Sequence, residues 1–284
     1  MYENEIKVLK CDPELSEQSR LDLNVVFSEK YGLKMHIVEP WEAVKFRTKY
    51  YPLVVFVMGS GWMHPELLWE LPQLCVLANR GYVVATIEYR NSTEGNPFPA
   101  YLQDLKTAIR FLRANREKYM IDPDRIAAFG TSSGANACIL AGLTANDPAF
   151  KTEEYADESD AVNAVIGIGN PTDLPKMITQ EDITKGEFKQ IKDLAGDRSI
   201  EETMMLMSPV NYIKPNTEYP AFLLFHGSID DVVPYEQSVI LYEKFRENGI
   251  DVKMFCVEGA KHDRSVETKE VRQEMYDFLE QKLR

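Results

Sequence analysis

The chain has 284 residues, 44% of them hydrophobic, enough to bury a sizeable core in one large α/β domain or two small ones. A formal charge of -13 argues against binding nucleic acid or an anionic membrane, which needs clustered Lys and Arg. No apolar run approaches a membrane span, and the first eight residues show no basic segment leading into a long apolar one, so the expectation is a cytoplasmic protein.

In chain order, residues 1 to about 20 are charged and mixed, an arm or a helix laid over the fold. Residues 22–27 and 33–38 partly alternate apolar and polar side chains around Lys30-Tyr31-Gly32, the pattern of an antiparallel hairpin, with His36 a strand residue. Residues 53–58 form a continuous β-branched and aromatic run, expected of a strand buried on both faces. Gly59-Ser60-Gly61-Trp62 follows at once, and two glycines there let the backbone turn with its amides inward. Trp62, packed under that loop, and His64 are candidate substrate-binding residues. Residues 67–80 read as a helix stopped by Gly81, residues 82–87 as a strand, and residues 90–99 as a surface loop rich in breakers. Leu102, Leu105, Ile109 and Leu112 recur at helical spacing, and residues 122–125 read as a turn feeding the strand 126–129.

Beyond residue 130 come a helix-compatible run to 143 and a strand at 161–166. Residues 170–217 then carry several prolines, a Met-rich patch at 204–207 and no clear strand. So long a segment between two strands predicts an inserted helical lid. Strands at 221–225 and 252–257 and helices at 235–247 and 266–283 complete a strand–helix alternation that predicts a mostly parallel sheet covered on both faces. With no internal repeat and no linker, one domain over 1–284 with a lid insertion at about 170–217 is the economical reading. Cys11, Cys75, Cys138 and Cys256 are scattered without Cys-x-x-Cys spacing, and three lie in apolar contexts. They read as small buried hydrophobes in a reducing compartment, not as metal ligands.

The chemistry concentrates at Gly130-Thr131-Ser132-Ser133-Gly134. An apolar strand that turns straight into a helix puts its middle residue, Ser132, on a sharp corner with the hydroxyl above the sheet. The Ser133 amide then lies at a helix N-terminus, which favours developing negative charge. A serine hydroxyl needs a base, normally a histidine held by a carboxylate. Of four histidines, His36 sits in a strand, His64 beside the glycine turn, and His226 at a strand end, where it supports the following loop through a hydrogen bond. His262 alone occupies a short loop between the last strand and the last helix. Asp230 or Asp231 is the acid, with spacing from the strand end favouring Asp230; Asp263 is the weaker candidate. The order Ser132, Asp230, His262 is the one expected when Gly-x-Ser-x-Gly sits in such a sheet.

With these residues in place the chain resembles serine esterases of the α/β-hydrolase fold, in the branch of hormone-sensitive-lipase-like and bacterial acetyl-xylan or feruloyl-esterase-like members. The likeness runs from about residue 53 to the end. It rests on Gly59-Ser60-Gly61-Trp62, Glu88-Tyr89-Arg90 with Pro97-Phe98-Pro99-Ala100, the Ser132 pentapeptide, His226-Gly227 with Asp230 and Val233-Pro234, and Gly259-Ala260-Lys261-His262. The resemblance implies a Ser132–His262–Asp230 triad, an oxyanion hole of the Ser60, Gly61 and Ser133 amides, no cofactor or metal, and a small ester substrate such as a short acyl or acetylated oligosaccharide. An arylformamidase- or peptidase-like amide hydrolase, or a silent binding protein on the same fold, are the alternatives. Relatives usually carry a loop-bracing His where Met58 stands, and many have Ala after the serine where Ser133 stands.

Overall fold

The computed structural model describes residues 7–13, 15–179, 182 and 188–284. Parts of the expected N-terminal arm (1–6 and 14) and of the lid (180–181 and 183–187) lie outside the described residues. Among the described residues eight strands form one sheet, in the order β1-β2-β4-β3-β5-β6-β7-β8. They are β1 Ser19–Ser28, β2 Leu33–Pro40, β3 Tyr51–Val57, β4 Val83–Ile87, β5 Ile121–Thr131, β6 Ala164–Ile168, β7 Ala221–Gly227 and β8 Val252–Val257. β1 and β2 pair as an antiparallel hairpin and β2 joins β4 antiparallel; every other pairing is parallel. The sheet therefore has the α/β-hydrolase layout anticipated from the alternation of elements.

Among the described residues the helices are α1 Trp41–Lys45, α2 Leu71–Asn79, α3 Ala100–Ala114, α4 Arg116–Tyr119, α5 Ser133–Leu143, α6 Leu174–Met177, α7 Gln190–Ala195, α8 Ile200–Leu206, α9 Glu236–Glu247 and α10 Lys269–Leu283. β3 shows why both faces must be covered. Its seven residues are all buried, and successive side chains point to opposite sides. Leu53, Val55 and Val57 join a core with α3, α5 and α9, whereas Val54 and Phe56 join a second core with α2 and α10. Burying two apolar faces leaves the ends of the strands as the place for polar chemistry, and the loops after β3, β5, β7 and β8 gather at one such end.

Three local expectations change. Residues 122–125 are not a turn before the strand: β3 pairs with Ile121 on one side and Ile126 on the other, so β5 begins earlier and bulges between. The bulge keeps its turn chemistry, since Asp122 Oδ1 accepts the Asp124 amide at 3.0 Å. Helix α2 starts at Leu71 rather than 67, because Pro72 suits the first turn and residues 66–70 turn to carry Glu70 inward. Of the cysteines only Cys138 is fully buried; Cys256 is exposed on β8, one of the sheet's two edge strands.

Candidate active site

The corner after β5 is built by close approach. A Cβ on Gly130 would fall 2.3 Å from the Gly134 carbonyl oxygen, and one on Gly134 would fall 2.1 Å from Val57 O, so both positions must lack a side chain. Ser132 itself takes φ 52°, a strained value for a residue with a Cβ. Its amide is tied to Ile168 O at 2.8 Å, at the end of the neighbouring strand. The strain thus lifts the hydroxyl out above the end of the strand.

His262 and Asp230 meet it there. His262 Nε2 lies 2.9 Å from Ser132 Oγ, and His262 Nδ1 lies 2.7 Å from Asp230 Oδ2. Asp231, the other acid weighed from the sequence, is exposed and pairs with Lys261 instead. Asp263 turns away to cap the next short helix through the Ser265 amide. Burial works to raise the Asp230 pKa, but hydrogen bonds from His226 and His262 and from the amides of Val233 and Val232 outweigh it. The carboxyl is held well below the usual carboxylate range. Asp230 is therefore an anion at neutral pH, able to orient the imidazole and to stabilise it when protonated.

The three predicted oxyanion donors fare differently. Among the described residues the Gly61 and Ser133 amides have no protein acceptor, whereas the Ser60 amide donates to Ser133 Oγ at 3.0 Å. The loop carries no histidine brace of the kind the resemblance implies, and other groups hold it. Thr131 Oγ1 accepts the Gly59 amide at 3.0 Å. Tyr89 Oη donates to Met58 O at 3.0 Å and stands 2.7 Å from Ser60 Oγ, which in turn donates to Met63 O at 2.6 Å. Burial raises the Tyr89 pKa, so its hydroxyl stays a neutral donor. Sequence reading missed Tyr89 and Thr131 because neither is adjacent to the loop in the chain; the Glu88-Tyr89-Arg90 motif was the available signal.

A cavity of about 930 Å³ opens over Ser132. Met58 and Trp62 wall one side, Trp69 the outer rim, and Met177, Phe188 and Gln190 reach in from the segment between β6 and β7. Trp62 is 3% exposed and packs against Tyr101, ring centroids 6.3 Å apart, so it lines the cavity from beneath the loop. His64 departs from expectation: it is exposed and lies outside the cavity lining. Trp62 takes a positive φ (62°), its indole is buried, and His64 two residues on is exposed. Among the described residues no cluster of His, Cys, Asp or Glu fit to hold a metal is found, and no helix is long and apolar enough to cross a membrane.

Comparison with known proteins agrees with this layout. Esterase LipC of Mycobacterium tuberculosis is 33% identical over 74% of this chain and 52% of its own length. A probable isoprenylcysteine alpha-carbonyl methylesterase of Oryza sativa is 27% identical over 86% of the chain and 57% of its own length. The chain thus spans about half the length of the curated relatives it matches. Among solved structures, a truncated carbohydrate esterase from gut microbiota superposes with TM-score 0.80 at 25% identity, covering 95% of this chain and 98% of that one. The butyrate-bound esterase Est2 of Thermogutta terrifontis shares the fold, with TM-score 0.76 at 22% identity and 95% of each chain covered. The BD-FAE family profile matches residues 42–245, and the chain belongs to that family, an α/β-hydrolase group of serine esterases.

Proposed function

We propose that this chain is a serine carboxylesterase that hydrolyses short acyl esters, acetyl groups on carbohydrate among them, through an acyl-enzyme on Ser132. The observation that carries the reading is the continuous hydrogen-bonded line from Ser132 Oγ through His262 to Asp230, at 2.9 and 2.7 Å. His262 takes the Ser132 proton as the hydroxyl attacks the ester carbonyl, and Asp230 holds the imidazole in register. The Gly61 and Ser133 amides receive the oxyanion. The imidazolium returns its proton to the leaving alcohol, and water then releases the acid by the same steps. Residues 170–217 serve as a lid inserted into one domain. The carbohydrate-esterase likeness supports an acetylated sugar as the alcohol side.

The test is turnover of p-nitrophenyl acetate by wild type and Ser132→Ala, with circular dichroism as the check on fold. Loss of several powers of ten in Ser132→Ala is the expected result. Undiminished turnover by that variant would refute the reading. Faster hydrolysis of a formanilide than of the ester would move the assignment to the amide-hydrolase branch.

A further inference from the structure

Behind the triad lies a second histidine that the mechanism leaves idle. His226, at the end of β7, is wholly buried, as are Asn170 and Ser238 beside it. Their hydrogens can be assigned from the acceptors alone. Asn170 Nδ2 lies 3.2 Å from Phe225 O and 2.8 Å from Ser238 Oγ. A carbonyl only accepts, so Asn170 presents its NH₂ to both. Ser238 Oγ therefore receives a hydrogen from Asn170 and gives its own to its other partner, His226 Nδ1, at 2.6 Å. With Nδ1 accepting, the ring hydrogen of His226 is on Nε2, as Val233 O at 2.8 Å also requires. That same Nε2, its hydrogen shared with Val233 O, also lies 3.2 Å from Asp230 Oδ2, the oxygen that His262 engages, as a close dipole contact.

We propose that His226 is a positioning residue of the triad, whose Nε2–H, fixed by the Asn170–Ser238 relay and bonded to Val233 O, sets its dipole against Asp230 Oδ2 at 3.2 Å and so sets the pH at which His262 begins to act as base. The proposal rests on the triad reading above. The other carboxylate oxygen, Oδ1, is already held by the Val232 and Val233 amides at 3.0 and 2.8 Å, so Oδ2 is the oxygen left to adjust. A donor there draws charge from the atom that pairs with protonated His262, which makes the imidazole easier to deprotonate. The nearness of His226 is among the causes that hold the Asp230 carboxyl low. Among the described residues the other ionisable groups facing this line are Tyr235, edge-on to His226, together with Asp231, Lys261, Asp263, Glu70, Arg264 and Glu267 around the cavity. All remain in place in the variants below.

The experiment is the pH profile of kcat/KM with p-nitrophenyl acetate for wild type, His226→Phe, His226→Gln and Ser238→Ala, with Ser132→Ala alongside. In His226→Phe, kcat falls about tenfold and the acid limb moves up by about half a pH unit or more, because Asp230 has lost a donor and holds the protonated imidazole more tightly. His226→Gln, which keeps an N–H donor, recovers most of both changes. Ser238→Ala moves the limb the same way by less, since the imidazole remains but its Nδ1 loses the hydroxyl that polarises it. If His226→Phe does not fold, the other two variants carry the decision. An acid limb unmoved in every folded variant overturns the proposal and leaves His226 a packing residue. Wild-type turnover that survives Ser132→Ala instead overturns the triad reading, a distinct result seen before any profile is compared.

Discussion

Ser133 Oγ accepts the Ser60 amide at 3.0 Å, so the residue after the proposed nucleophile clamps the loop opposite with its side chain, while its own amide is left for the proposed oxyanion site. The clamp also competes: in this arrangement the Ser60 amide serves a hydroxyl, not substrate. Hydrogen bonds to an anion are roughly twice as strong as neutral ones, so the amide gains by turning to the oxyanion but must first give up Ser133. Ser133→Ala removes that cost while Tyr89 and Thr131 still brace the loop. Its kcat on p-nitrophenyl acetate is expected to rise by about two- to tenfold, the worth of one neutral hydrogen bond. Tyr89→Phe takes away the brace and is expected to lower kcat about tenfold with little change in KM. A fall in Ser133→Ala would show that clamping outweighs competition.

Asp230 gives a prediction in pH. Its pKa in the folded chain lies below the ordinary 3.8, so its contribution to stability is full above that value and is lost as pH falls through the lower, folded value. Asp230→Asn lacks this contribution at every pH. The gap in urea midpoint between wild type and Asp230→Asn should be widest near neutrality and should close as the pH is taken well below 3.8. The same variant should lose roughly ten-thousand-fold in kcat through the wrong imidazole tautomer. A gap that widens in acid would show that Asp230 does not titrate as an isolated, stabilised anion.

Much of this architecture was legible because its signals are local. Residues 53–58 announce a doubly buried strand by composition, and the glycines around Ser132 announce a corner by what they lack. Chain order then narrowed four histidines to His262. What could not be read depends on partners far away in sequence. Residues 122–125 look like a turn, and only pairing with Tyr51 draws Ile121 into the sheet. His64 sits beside the right loop, but it is exposed, two residues beyond the positive φ at Trp62. The Ser60–Ser133 bond joins residues 73 apart, and Tyr89 reaches Met58 O across 31. No spacing rule announces such contacts.

Acyl length tests the proposed lid. Phe188 and Met177 enter the cavity from the segment between β6 and β7. Shortening Phe188 opens space on an apolar wall, so Phe188→Ala should raise kcat/KM for hexanoate relative to acetate esters, by about tenfold for each 1.4 kcal/mol of burial gained. An unchanged chain-length profile would place the acyl group elsewhere.

The last prediction concerns stability away from the cavity. Lys106 and Arg110, both fully buried on α3, share Asp160: Lys106 Nζ lies 2.9 Å from Oδ1 and Arg110 Nη1 3.2 Å from Oδ2. Asp160 Oδ1 also accepts the Asn146 amide at 2.7 Å, and Lys106 donates to Thr144 O at 2.6 Å, so the cluster ties the end of α5 and the loop after it to α3. Burial lowers the Lys106 pKa, and Asp160 is what opposes that fall. Asp160→Asn takes from two buried cations the one carboxylate bonded to both, leaving only the more distant Asp147 and Glu154, which costs about 3–5 kcal/mol and, at about 2–4 °C per kcal/mol for a chain of this size, roughly 10 °C in Tm. None of these residues lines the cavity, so kcat per folded molecule at 25 °C should stay near wild type. A melt within about 2 °C of wild type would mean that water or another anion replaces the carboxylate, and that the cluster positions the loop without stabilising it.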